Sequence, residues 1–375
     1  MFDLRFAATC VAALSAAPLA VAQTATPGTE PPPILHAIPA DAVGGVTLDV
    51  ERLRGEPVFA RTVAPLLGEG GPFAVALGEL GLAFEDVRAV AAFVPPADPE
   101  EPYPSRDPVG EPLFLVRVNG PVVVPEALAE RGVAKVLPDG RTLALAIGRR
   151  GGETLAALGA PQAPAAGSAA ALAEELAHAA PAGLLAFGDV TAVRSALLTE
   201  LDFAVRREDE WIPAFGFAHP AITSADALAL AVELREGVLA VRLVAAAPDA
   251  ASADRLRRTA EAAVIVAGNV LNGLPGAMLR REPEQAALVA LAANALRRTL
   301  ASVAVTGEGP VDAPPRAAVA ATVDAETTAA AAALLIAALR EEFGPRPAGR
   351  SPRVREIGAP EARDASEKSA EPGDR

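Results

Sequence analysis

Two short stretches decide how this chain is read: residues 42–54, AVGGVTLDVERLR, and residues 182–194, AGLLAFGDVTAVR. Each runs through an apolar strand into Asp-Val and a helical start, with an Arg five positions after the Asp. A carboxylate at the strand-to-helix boundary accepts the orphan amides of a first helical turn, so Asp49 and Asp189 are expected as N-caps. Their recurrence predicts two related units.

Farther along the chain, PLFLVRVNGP at 112–121 is matched by GVLAVRLVAA at 237–246, which makes Arg117 and Arg242 expected equivalents. An Arg within an apolar strand normally lifts its head group to solvent from one sheet face. Two hairpins are expected as well. VLPDGRTLALAI at 136–147 carries Asp139-Gly140, and LALAVELREGVLAVRL at 228–243 turns through Arg235-Glu236-Gly237, each with Gly where positive φ is needed. In the second hairpin Leu228, Leu230, Val232 and Leu234 fall on one face.

Helical periodicity is read at 56–67, 72–82, 168–179, 189–200, 250–272, 284–299 and 325–343. A strand-helix-strand-strand-helix-strand order is the split βαβ, or ferredoxin-like, arrangement. The expectation is therefore an α+β fold of two such units, each an antiparallel sheet with helices on one face.

The chain has 375 residues, and at about 150 residues per domain two cores fit once the termini are set aside. Residues 1–22, with Arg5, an apolar stretch from Phe6 and Ala20-Val21-Ala22, form a secretory signal pattern, with cleavage expected after Ala22. The sole cysteine, Cys10, would leave with it, and disulfides, thiol catalysis and Cys-held metals are excluded from the mature chain. A Pro-rich spacer follows at 23–33. The first unit then occupies 34–160, a connecting helix 161–180, the second unit 181–344 and a charged disordered tail 345–375.

Thirty-three basic against 47 acidic residues give a net charge of -14, the opposite of a nucleic-acid-binding surface. Anionic lipid is disfavoured by the same balance. Residues 262–279 and 329–339 are the most membrane-like later segments. The first carries Asn269, Asn272 and Pro275 and the second is short, so both read as buried helices, and no transmembrane helix is expected after cleavage.

Chemistry is sparse. No G-x-S-x-G elbow, phosphate-cradling loop, dinucleotide fingerprint, H-E-x-x-H or EF-hand loop occurs. The three histidines, His36, His178 and His219, have no spacing that would bring any two together, and Glu174 and Glu175 read as an exposed charged helix face. A calcium candidate is the loop at 95–112 with Asp98, Glu100, Glu101 and Asp107, which lacks the glycine-containing register of ordered ligand loops.

The binding candidate is RREDEWIPAFGFAHPAITS at 206–224. It gathers the only Trp, Trp211, with Phe215, Phe217 and His219 in a chain with 4% aromatic residues. Such a cluster walls a pocket, forms a docking surface or plugs a core. No catalytic residue, metal site or cofactor is assigned.

With IPADAVGGVTLDVERLRGEPVFARTVAPLLG at 38–68 and LPDGRTLALAIG at 137–148 on view, the chain resembles a loose set of exported bacterial proteins of unknown function. In these an Ile/Leu-Pro-Ala-Asp opening precedes a strand and helix, and a later hairpin carries Asp-x-Arg-Thr-Leu. The resemblance implies a turn and strand framework and brings no activity, cofactor or catalytic residue. The expectation is a non-enzymatic, periplasmic or extracellular module that binds a protein partner. A small-molecule or ion-binding module, or an enzyme with its site near 206–224, is the alternative.

Overall fold

The computed structural model describes residues 34–57, 60, 77–78, 80–96, 110–146, 151–159, 167–179, 182–206, 212–281, 293–308 and 314–328. Its strands are β1 (Gly44–Asp49), β2 (Val87–Val94), β3 (Leu113–Val118), β4 (Ala134–Val136) and β5 (Thr142–Ala146), followed by β6 (Leu184–Asp189), β7 (Ala227–Arg235), β8 (Val238–Ala246), β9 (Ala304–Glu308) and β10 (Arg316–Val323). Its helices include α1 (Val50–Arg54), α2 (Glu126–Glu130), α3 (Gly151–Ala157), α4 (Ala169–Ala179), α5 (Val190–Arg206), α6 (Ile212–Ser224) and α7 (Ala250–Arg281), and residues 293–301 and 325–328 are helical as well.

The strands form one ten-stranded sheet, ordered β4-β5-β3-β2-β1-β6-β7-β8-β10-β9. Outward from the centre, β1-β2-β3-β5-β4 on one side has the same order as β6-β7-β8-β10-β9 on the other. At the junction Gly44 lies opposite Gly188 and Leu48 opposite Leu184, so the β1–β6 ladder centres on Val46 and Ala186. The Asp49 amide donates to the Gly183 carbonyl (2.8 Å) and the Asp189 amide to that of Val43 (2.7 Å), one at each end of the ladder.

This architecture corrects the sequence reading in two respects. The antiparallel pairing expected from the sequence holds in every ladder, but a split βαβ unit sets another strand between the two that its helix joins, whereas β1, β2 and β3 are direct neighbours, as are β6, β7 and β8, and the halves share a single sheet. Helices also cover both faces rather than one. On the first face, α4 and Leu155 of α3 pack over Ala91, Phe93, Leu115, Leu185, Ala229 and Val244. The opposite face carries Val50 and Val116 in one half, and Val190, Ala245, Ala253 and Leu256 in the other.

Strand alternation creates the two faces. In β3, Leu113 and Leu115 join the α4 side while Val116 and Val118 join the other. A register shift between Val87 and Ala89 moves Val87 to the second core while Ala89 and Ala91 stay in the first. Ala227, Ala229, Ala231, Ala246 and Ala318 offer a surface of methyl groups to an equally Ala-rich helix, α4. Burying its Leu172 and Leu176 supplies about 1.5–3 kcal/mol each.

The N-cap expectation holds locally. Asp49 Oδ1 accepts the Arg52 amide at 2.9 Å. Asp189 Oδ1 accepts the amides of Thr191 (2.8 Å) and Ala192 (3.2 Å). The Arg that follows has one job in both halves. Arg54 donates to the carbonyls of Phe84 (2.7 Å), Glu85 (2.9 Å) and Val87 (3.0 Å), just where β2 begins. Arg194 donates to the carbonyls of Ile222 (3.2 Å) and Ala225 (2.8 Å) and to Asp226 Oδ1 (3.0 Å), just before β7.

The expected equivalence of Arg117 and Arg242 does not survive the register. Asp49 faces Ala89, which faces Arg117; Asp189 faces Ala227, which faces Ala246. The counterpart of Arg117 is therefore Ala246. Two apolar runs with a central Arg match in more than one register, and only the ladder selects one.

Candidate functional site

Of the 206–224 segment, Arg206 ends α5 and Ile212–Ser224 form α6, while 207–211 lie outside the described residues. Pro220 lies inside the helix and removes one backbone donor. Arg194 takes up the carbonyls of Ile222 and Ala225, and the Thr223 hydroxyl donates back to the His219 carbonyl at 2.9 Å. The end of α6 is thereby fixed to α5 and to the start of β7.

Helix α7 packs along α6. It begins after Asp249, whose carboxylate accepts the Ser252 amide at 2.7 Å. That amide, helped by the Ser252 hydroxyl and the Arg255 charge, holds the Asp249 carboxyl below the ordinary carboxylate range. Leu256 and Ala253 turn into the core beneath, which leaves the opposite stripe of α7 outward. Ala251, Arg255, Arg258 and Ile265 are exposed, and Ile265 is 64% accessible.

Between the two helices lies an open cleft of about 430 Å³, lined by Phe217, Pro220, Ala251, Asp254, Arg255, Arg258, Thr259 and Ala262. Its apolar wall is Phe217, Pro220 and the two alanines. Its other wall is ionic. Arg257 joins Asp254 (2.7 Å) and Glu261, and Arg258 joins Asp254 at 2.8 Å. Hydrogen bonding from Arg257 holds the Asp254 carboxyl below its usual range. Arg255 donates to Ser224 Oγ at 3.3 Å, and that serine is fully buried.

Of the four candidates from the sequence, Phe217 lines this cleft, and His219 is exposed on α6. Trp211 and the Phe215 side chain lie outside the described residues, as do Asp98, Glu100, Glu101 and Asp107 of the calcium-candidate loop. Among the described residues no group of three or more His, Cys, Asp or Glu converges as a metal site. Among them, too, no helix is long and apolar enough to cross a membrane. The α7 side of the cleft was missed because an Arg on an outward helical stripe reads as a solvated face.

Two of the histidines, His36 and His178, each contact Glu174 of α4, one through its side chain and one through its backbone. His36 Nε2 lies 2.9 Å from Glu174 Oε1, and His178 Nδ1 lies 2.8 Å from the Glu174 carbonyl. The neighbouring Glu175 pairs with Arg316 at the start of β10. The charged face of α4 is therefore a pair of tethers, one to the first turn of the described chain and one to the second half of the sheet.

No protein-family model matches the chain, and no curated protein is significantly similar to it. Among solved structures it is similar to three crystal forms of TP0453. Form I is 10% identical with a TM-score of 0.32, over 82% of this chain and 98% of that one. Form III is 11% identical with a TM-score of 0.33, over 81% and 97%. Form IV is 10% identical with a TM-score of 0.34, over 82% and 97%.

Proposed function

We propose that this chain is an exported, non-enzymatic interaction module, made of two related halves, that binds a protein partner through the α6–α7 cleft. The signal pattern at 1–22 supports export to the periplasm or the medium. Duplication is supported by the matching strand order, the paired caps Asp49 and Asp189 and the shared task of Arg54 and Arg194.

The observation that carries the binding reading is what the second half adds to that plan. In the first half, residues 119–133 suffice to connect the third strand to the fourth. In the second, residues 247–303 make the same connection and include the 32-residue α7. The sheet closes in the first half without such a helix, so α7 is extra material, and its outward stripe and the cleft beside α6 are where a function sits on the scaffold. An open cleft with an aromatic and alanine wall suits a protein segment better than an enclosed small ligand.

Thermal shift tests the reading. Any ligand of the native state raises the midpoint by mass action. The purified protein is screened against divalent metals, sugars, nucleotides and short peptides, beside an Ala262→Trp variant that fills the cleft. Stabilisation by peptides that disappears in Ala262→Trp is the expected result. Stabilisation by a metal, sugar or nucleotide that survives in the variant overturns it. Export is tested separately by the mass of the secreted chain, which should begin at Gln23.

A further inference from the structure

We infer that the segment taken by the α6–α7 cleft pairs an apolar side chain with a carboxylate, and that Arg255 is the residue that selects it. The inference rests on the reading of the cleft as a docking site and adds the chemistry of its occupant.

Charge accounting along α7 singles out Arg255. Asp254 is shared by Arg257 and Arg258, and Glu261 is held by Arg257. Asp249 attracts Arg255 from the helix start, but its Oδ1 caps the helix through the Ser252 amide. Among the described residues Arg255 has no carboxylate within 4.0 Å, and its one hydrogen bond is the 3.3 Å contact to Ser224 Oγ. Of the charged groups that line the cleft, the guanidinium groups of Arg255 and Arg258 thus meet one carboxylate, Asp254, which Arg258 already pairs, inside a molecule of net charge -14.

A guanidinium has five donors in a planar fork, and a carboxylate takes two of them at once. Beside Arg255 the wall is Phe217, Pro220 and Ala262, so a carboxylate bound there carries its neighbouring side chain onto an apolar surface. The strongly negative molecule repels a polyanion at long range. That favours a segment with one or two carboxylates set between apolar side chains over a uniformly acidic one.

Fluorescence anisotropy with three labelled short peptides decides the matter: one alternating Leu and Phe with Glu, and its Gln and Lys counterparts. The Glu peptide is expected to bind about tenfold more tightly than the Gln peptide. Arg255→Glu should cancel that advantage and transfer it to the Lys peptide. Arg255 is exposed, and an unchanged far-UV spectrum and thermal midpoint confirm that the variant is folded. Equal binding of the Glu and Gln peptides, binding of none, or indifference to Arg255→Glu overturns the inference. If Glu and Gln peptides bind alike and Ala262→Trp abolishes both, only the carboxylate preference fails. Peptide binding that ignores Ala262→Trp removes the cleft reading too.

Discussion

Asp139 shows how much one turn residue organises. Its carboxylate accepts the amides of Arg141 (3.0 Å) and Thr142 (2.9 Å) and the Thr142 hydroxyl (2.7 Å), and Arg117 lies 3.3 Å away. Burial alone raises such a carboxyl, but the Thr142 hydroxyl, the two amides and Arg117 outweigh it and hold Asp139 below the ordinary range. A depressed carboxylate contributes stability that is complete above its unfolded value and is lost as pH falls through the folded one. Asp324, held down chiefly by the Thr327 amide, acts in the same sense. Stability measured by urea unfolding should therefore be level near neutrality and fall below about pH 4. Asp139→Asn keeps the shape but weakens the bonds and the ion pair; a loss of about 1–2 kcal/mol is expected, with a shallower fall in acid. Glu236 is the opposite case. It sits at φ 53°, followed by Gly237 at 83°, in the β7–β8 turn. Glu236→Asn places a residue that tolerates this region before the glycine and should add about 0.5 kcal/mol to the same unfolding free energy.

Among the elements, the strand-to-helix corners at Asp49 and Asp189 were the part most legible from sequence, because cap, strand and Arg are all local. What the two Arg side chains hold was not, since the carbonyls of Phe84–Val87 and Ile222–Ala225 are about 30 residues downstream in each case. Each guanidinium bridges a helix to the start of the neighbouring strand. Arg54 also lies 4.9 Å from the Phe84 ring centroid. Arg54→Ala and Arg194→Ala should each cost about 1.5–3 kcal/mol, the range for hydrogen bonds from a charged donor. The sites share no partner, so the double variant should be additive to within about 0.5 kcal/mol in chemical denaturation. The cleft was half legible for the same reason. Phe217 stood out by composition, but Arg255 and Arg258 join it only because a helix from after β8 lies against one from before β7.

At the scale of the molecule, the sequence reading separated two sheets where there is one, and the reason is physical. Strand alternation and turns are encoded locally, whereas edge-to-edge pairing of β1 with β6 joins segments 140 positions apart and leaves only an indirect trace. That trace is Gly44-Gly45. A Cβ on Gly44 would meet the Phe187 carbonyl at 3.0 Å, and one on Gly45 the Phe187 ring at 2.9 Å. The core does not respect the boundary either. Phe93 and Leu115 from one half, Leu185 and Ala229 from the other and the α4 helix between them form a single buried cluster. Neither half can lose that contact and keep its own face covered, so unfolding should be one event. Calorimetry should give one transition whose calorimetric and van't Hoff enthalpies agree. Leu185→Ala, at a fully buried position on the junction strand, should lower the whole transition by about 2–5 kcal/mol without splitting it. Two resolved transitions, with Leu185→Ala moving only the one assigned to the second half, would show that the shared sheet couples the halves too weakly to act as one core.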